Sequence, residues 1–422
     1  MVKRVLMIAF HYPPMRGSSG IQRTLKFASY LPRSGWEAMV LTARPQAYRE
    51  TSPDQMAEIG AIELRRSFSL DSARHLALLG RYPAVLALPD CWNSWWLSAV
   101  PAGLRLIRRH RPDVIWSTYP IATAHLIGLT LHRLSGIPWV ADQRDPMSED
   151  GYPSDPRKRR LHRWIEAKIL RHGAAMVCTT PGALLASREG FPEHGGRLRL
   201  IENGYDEEDF AAAENGAGAG PGPIGPRPAR ACFRLLHSGL VYPSERDPAP
   251  LFAALARLQS EQTIAPHNFR LVLRASGHDG YLRDLLQRHG IAGLVELAPA
   301  LPYRAALAEM LEADGLLLLQ ARNCNHQIPA KLYEYLRAGR PILALTDPAG
   351  DSAAKLRACG IDTLARLDSA EAIAGALPRF LQLARLGEAP LATAATVALQ
   401  SRAARTIELA ALLDRVSRRD IP

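Results

Sequence analysis

The sequence predicts an α/β protein made of two tandem domains, each a parallel sheet covered by helices. Three observations predict it. The chain has 422 residues, long for one hydrophobic core, and 47% of them are hydrophobic, enough to bury two. Short apolar runs alternate with longer segments whose apolar residues recur at helical spacing, the pattern of strand, helix and parallel strand. The same rhythm restarts after "AAAENGAGAGPGPIGPRPARA", residues 211–231, which offers little to bury and reads as a linker or a loop beside one.

In the first half the strand candidates are "RVLMIAF", "EAMVLT", "DVIWST", "PWVAD", "AAMVCTT" and "LRLIEN". Helical spacing appears between them, as in "GIQRTLKFASYLPRSG" and "SAVPAGLRLIRRHR". In the second half "FRLLHSG", "FRLVLRASG", "LVELAP", "DGLLLLQ" and "RPILALT" alternate with helices such as "DPAPLFAALARLQSE" and "YLRDLLQRHG". In "QIPAKLYEYLRAGRPILALTDP" a helix is expected from Pro329 to Gly339, since proline suits the first turn and glycine the end. The expected layout is a Rossmann-like domain over 1–210, the linker over 211–231, a second such domain over 232–395, and a final helix within 396–422 packing back on the first. Ligands of such sheets lie at the carboxyl ends of the strands, and two facing domains would bind between them.

The net charge of +11 and pI near 9.7 suit an anionic partner: nucleic acid, anionic lipid or a phosphorylated substrate. No helix-turn-helix, zinc-finger or RNP pattern is visible, which argues against nucleic acid. Cys91, Cys178, Cys232, Cys324 and Cys359 form no C-x-x-C pair and have no histidine at metal-ligand spacing. They read as reduced thiols of a cytosolic protein, with no metal site expected. The apolar run in "MVKRVLMIAFHYPP" is too short for a signal peptide and reads as the first strand. Nothing approaches the roughly 18 to 20 apolar residues of a membrane span.

Several stretches carry candidate chemistry. In "HYPPMRGSSGIQR", Gly17 and Gly20 bracket two serines before a helix, where backbone N–H groups and the helix dipole favour an anion; a plain strand-to-helix turn is the bland alternative. "VADQRDPMSEDGYP" puts Asp142, Arg144 and Asp145 at a strand end, either facing a ligand or joined in an Asp–Arg bridge that orders the loop. "HSGLVYPSERDPAPLF" supplies Ser238, Gly239 and Arg246, a cation able to neutralise a diphosphate. Lys331 lies at the start of the Pro329–Gly339 helix, with Glu334 one turn, about 5 Å, further on. A carboxylate there can accept from both ribose hydroxyls while the phosphates lie toward the cations.

The chain resembles the GT-B glycosyltransferases of the family 4 type, in particular bacterial enzymes that build cell-surface polysaccharides. The likeness runs in order through "YPP…G…G…R", "RPDVIWSTYP", "ADQRDP", "VCTTPGALLASREGFP", "IENGYDEEDF", "HSGLVYP…RDPAPLFAALARL" and "PAKLYEYLRAGRPILAL". It implies a nucleotide-sugar donor held by the second domain, an acceptor held by the first, and transfer without an obligatory metal or other cofactor. Glu334 is similar to the family's ribose-binding glutamate. Arg246 falls near the family's cationic position at the donor diphosphate, with Lys331 a second candidate, and both join Arg144 and Asp145 in the expected catalytic set. The Gly17 to Gly20 turn corresponds to the glycine loop, and His11, Tyr12, Arg16 and Asp142 fall on the acceptor side. Arg144 and Asp145 stand where many relatives carry a catalytic histidine and its neighbour.

One departure concerns the sugar. The family often has two glutamates with seven residues between them, and His326 occupies the first of those positions. Asn325, His326 or Gln327 could bond the sugar hydroxyls there, a structural or solvated histidine being the bland alternative, and Leu332 completes the expected donor-binding set. A retaining transfer to a saccharide or lipid-linked acceptor is the expected reaction. An epimerase on the same fold and a non-catalytic scaffold are the rivals. For the acceptor half, Trp92, Trp95 and Trp96 precede a helix bearing Arg105, Arg108, Arg109 and Arg111, and "PRKRRLHRWIEAKILRH" adds more cations. Residues 1–210 hold 28 Lys and Arg against 21 Asp and Glu. Either these features meet an anionic membrane at the inner cytoplasmic face, or the tryptophans are core and the arginines a solvated helix face.

Overall fold

The structure is a computed structural model that describes residues 2–16, 19–53, 55–77, 81–149, 152–216 and 231–417. It divides into two compact units, residues 1–203 with 402–422, and residues 204–401.

The first unit holds strands β1 (Lys3–Ile8), β2 (Trp36–Ala43), β3 (Glu63–Ser67), β4 (Val114–Thr118), β5 (Trp139–Arg144), β6 (Ala175–Cys178) and β7 (Leu198–Leu200). They form one sheet in the order β3-β2-β1-β4-β5-β6-β7, every pair parallel. The second unit holds β8 (Phe233–Ser238), β9 (Phe269–Arg274), β10 (Val295–Ala298), β11 (Gly315–Leu319), β12 (Ile342–Leu345) and β13 (Leu364–Ala365), ordered β10-β9-β8-β11-β12-β13 and again parallel. The order reverses at β1/β4 in the first sheet and at β8/β11 in the second.

Eight helices matter for function. They are α1 (Ser19–Tyr30), α2 (Trp95–His110), α3 (Ala122–Ser135), α4 (Pro156–His172), α5 (Glu207–Gly216), α6 (Tyr303–Glu312), α7 (Ala330–Ala338) and α8 (Arg402–Ser417). Both faces of each sheet are buried, so central strands are apolar throughout. In β1, Leu6 and Ile8 enter one core cluster while Val5 and Met7 enter another. In β11, Leu317 and Leu319 divide from Leu316 and Leu318 in the same way.

The chain passes from one unit to the other after Asn203, not at the expected boundary near 210. The alanines and glutamates of 207–216 make α5, so the first six residues of the supposed linker are helical. Residues 217–230 lie outside the described residues. Helix α8 belongs to the first unit: Leu409, Leu412 and Leu413 pack into the cluster containing Val5 and Trp36. Its Asp414 accepts from Lys3 Nζ at 2.7 Å and from Trp36 Nε1 at 3.0 Å.

Candidate functional site

In the second unit, β8 ends at Ser238 and the chain turns at Gly239. The Ser238 amide donates to the Tyr335 hydroxyl at 2.9 Å. Gly239 has φ +110°, and a Cβ there would lie 2.9 Å from Lys331 Nζ. The backbone angle favours glycine, and a Cβ here would push the lysine tip aside.

Lys331 stands in the first turn of α7, whose limits follow the sequence: Pro329 caps the start, and Gly339 closes the end in the left-handed region at φ +63°. Its ammonium is 3.1 Å from His237 Nε2. His237 Nδ1 lies 2.9 Å from the Leu317 carbonyl, which can only accept, so the ring proton sits on Nδ1 and Nε2 accepts from Lys331. Burial, then the charge of Lys331, push His237 well below the ordinary histidine value. Burial, then the Arg246 guanidinium, lower Lys331 to about 7, with Glu334 acting the other way. An arriving anion would restore the ammonium.

Arg246 reaches this cluster from the loop after β8. Its guanidinium lies 5.4 Å from the Tyr242 ring centroid and donates to the Leu240 carbonyl at 3.2 Å. Glu334 is buried, and its Oε1 accepts from the Tyr303 hydroxyl at 2.8 Å. Helix α6, which begins at Tyr303, thereby orients the carboxylate. A fixed acceptor one helical turn from a paired cation suits a diol beside a diphosphate.

The loop between β11 and α7 places Asn325 with Nδ2 donating to Asp347 at 2.9 Å. Its Oδ1 is buried with no hydrogen-bond partner among the described residues. A cavity of about 720 Å³ opens there, lined by Ser244, Gln320, Arg322, Asn325, Asp347 and Arg366 among others. The Gln327 carbonyl accepts from Gln320 Nε2 at 2.8 Å, and His326 is exposed. Leu332 departs from the donor-binding set. It is fully buried in the cluster of Leu316 and Leu318, because α7 must seat its apolar stripe on the sheet.

In the first unit, Asp142 is not free to bind an acceptor. Arg23 of α1 grips it through Nε at 2.9 Å and Nη2 at 2.7 Å, and the Thr118 hydroxyl adds a third bond at 2.8 Å. Both partners are buried. The bridge expected within the Asp142–Asp145 stretch is replaced by one from Arg23, a partner 119 residues away that local spacing does not reveal.

Arg144 holds φ +65° at an irregularity where β5 meets β6. A side-chain-bearing residue in that region is strained, a condition that collects at functional sites. Its Nη1 meets the Tyr119 carbonyl at 3.4 Å. Burial lowers its affinity for a proton, while Asp145 opposes the shift. Burial raises Asp145, with Arg144 pulling it back. His11 lies near Arg144 and is lowered to about 3, first by burial and then by that guanidinium, so it is a neutral ring. Tyr12 packs wholly inside the core, and Arg16 is exposed. Gly20 sits in the first turn of α1, and Gly17 lies outside the described residues.

Sequence reasoning missed His237, Tyr303, Tyr335 and Arg23. A histidine inside the apolar strand "FRLLHS" was the one available signal. Among the described residues no cluster of side chains is arranged to hold a metal ion, and no helix is long and apolar enough to cross a membrane.

Residues 19–204 match the glycosyl transferase 4-like domain family. No curated protein sequence matches the chain. Among solved structures, it is similar to HepE of Anabaena, solved with UDP and glucose, with UDP alone and with UDP-glucose. The UDP and glucose complex gives a TM-score of 0.64 at 14% identity over 98% of this chain and 100% of that one. Sucrose-phosphate synthase of Thermosynechococcus elongatus gives 0.64 at 16% identity over 98% of both chains. A protein of Listeria monocytogenes assigned as a UDP-N-acetylglucosamine 2-epimerase gives 0.56 at 13% identity over 100% and 99%. Residues 19–204 thus match the glycosyl transferase 4-like domain family, and the chain as a whole has the two-unit α/β fold, GT-B, of these structures.

Proposed function

We propose that the chain transfers a sugar from a uridine diphosphate sugar, held by the second unit, to a saccharide or lipid-linked acceptor of polysaccharide synthesis, received by the first. The observation that carries this reading is the pairing of Glu334, fixed by Tyr303, with Lys331, fixed by His237, one turn apart at the start of α7. The carboxylate accepts from the ribose hydroxyls. Lys331 and Arg246, beside the Ser238–Gly239 turn, take the diphosphate, and the Asn325–Gln327 loop faces the sugar. Arg144, with its strained backbone, and Asp145 next to it serve the acceptor side.

In the reaction the bond from the anomeric carbon to the diphosphate oxygen breaks, and its electron pair leaves with the phosphate. The acceptor oxygen bonds the same carbon, and its proton passes to the departing phosphate oxygen. Retention of configuration by this front-face route needs no carboxylate nucleophile. The protein's part is electrostatic, with fixed cations stabilising the charge that develops on the leaving group. Calorimetric titration with UDP tests the reading: the parent binds, and Glu334→Ala binds far more weakly. Equal binding by the two would sink it.

The likeness to an epimerase supports a second reading, inversion at a sugar carbon without any acceptor. Incubation with UDP-sugar alone separates them. A new UDP-sugar isomer means an epimerase, and a product formed only when acceptor is added means a transferase.

A further inference from the structure

We propose that the outer face of α2, α3 and α4 is a docking surface for an anionic lipid bilayer. These helices lie side by side in the first unit and enclose an open apolar groove of about 660 Å³. Leu88, Trp96, Leu97, Leu126, Leu134 and Trp164 line it. Leu97 is 70% exposed, Leu134 63%, Trp164 46% and Trp96 37%. Four large apolar side chains turned to water around one groove form a patch, unlike the isolated surface leucines of ordinary proteins. The sequence pointed to Trp92, Trp95 and Trp96 together. Only Trp96 faces out: Trp95 is fully buried, and Trp92 packs against Phe10 with ring centroids 4.9 Å apart.

Charge names the occupant. The three helices carry eleven Lys and Arg against one carboxylate, Glu166. That acid is buried, accepting from Gln143 Nε2 at 2.8 Å and the Met147 amide at 2.7 Å. The three helices therefore carry a surplus of ten positive charges, in a chain whose total is +11. Helical geometry puts Arg157, Arg160, Lys168 and Arg171 within about 40° of Trp164 around α4. Lys168 lies 5.4 Å from the Trp164 ring centroid. Leucine and tryptophan tips ringed by cations match a bilayer interface, where the tips enter the headgroup boundary and the cations meet lipid phosphates. A second copy of the chain fits poorly, since two such faces repel. This surface does not depend on the proposed reaction.

Sedimentation with phosphatidylcholine vesicles, with and without phosphatidylglycerol, tests it. The parent pellets with the anionic vesicles at low salt, not with phosphatidylcholine alone, and is released as salt rises. Arg157→Gln with Arg160→Gln lowers the partition by about thirtyfold, near fivefold for each cation removed. Arg283→Gln with Arg288→Gln, the same charge taken from the second unit, changes it less than about twofold by the same rule. Leu97→Ser with Trp164→Ser also weakens binding. Should that variant unfold, Leu97→Ser with Leu134→Ser replaces it. The proposal is overturned if the parent stays in the supernatant with anionic vesicles, if both charge variants lose binding equally, or if the serine variants bind like the parent. Light scattering that shows a parent dimer abolished by Leu97→Ser would assign the face to a second copy instead.

Discussion

Lys331 Nζ lies 3.1 Å from His237 Nε2, a cation held against a neutral ring. Nothing in that contact cancels the charge, so burial lowers the lysine to about 7. Above that pH the empty site loses its ammonium, whereas bound diphosphate holds the proton in place. UDP binding therefore takes up a proton, and affinity falls as pH rises from 7 toward 10, by up to about tenfold per unit. Titration across that range, in buffers of different ionisation enthalpy, measures both. A flat profile would show that Lys331 does not meet the phosphates.

Stability carries the same signature. Lys331 titrates near 7 when folded and at 10.5 when unfolded, so the unfolded chain holds more protons between those values, and its contribution to stability rises with pH there. His237, depressed below 6.5, adds a fall in stability as pH drops through 6.5. Urea midpoints from pH 5 to pH 9 should climb, and Lys331→Met with His237→Leu should flatten the curve.

Glu334→Ala is expected to lower UDP affinity by about tenfold to a hundredfold, the cost of hydrogen bonds to a charged acceptor. Tyr303→Phe removes the group that aims the carboxylate and should cost less, about tenfold at most. UDP titration of both variants checks the order of effects.

Gly239→Ala should destabilise the protein by about 1–3 kcal/mol, through the positive φ and the lysine tip, and weaken UDP binding at the same time. Gly360→Ala is the control. That residue has φ +79° with open space around its Cβ, so the substitution costs stability alone. Thermal melts paired with UDP titration read the two effects separately.

Arg23→Ala strips the buried Asp142 carboxylate of its two guanidinium hydrogen bonds and leaves that of the Thr118 hydroxyl. The expected loss is about 3–5 kcal/mol in the first unit. Arg23→Met with Asp142→Leu should recover much of it, because no orphaned charge remains. Denaturation midpoints of the single and double variants decide.

Much of this architecture was legible in the chain. The strands buried on both faces announced themselves as apolar runs, and α7 was bounded by its proline and glycine. Strand β3, "ELRRS", lies at the sheet edge with charged side chains in the exposed positions, so no hydrophobic run marks it. Strand β13 has two residues, too few for any period. In α2 the buried stripe Trp95, Ala99, Ala102 and Leu106 repeats at helical spacing, and Trp96 lies one step off it. Counting that period tells the core tryptophan from the exposed one. The site cations and the glutamate were visible by position, but the groups that hold them come from distant segments: Tyr303 from another helix and His237 from another strand.

Helix α8 closes a core begun some four hundred residues earlier, and that order has a cost during synthesis. Residues 204–401 can complete their sheet as they emerge. The cluster of Val5 and Trp36, flanked by Leu25 and Phe27 of α1, must wait for Leu409, Leu412 and Leu413 until α8 leaves the ribosome, roughly 10 to 40 seconds later at common rates of elongation. The first unit is finished after the second, so nascent chains stalled after residue 401 should draw chaperones to the first unit.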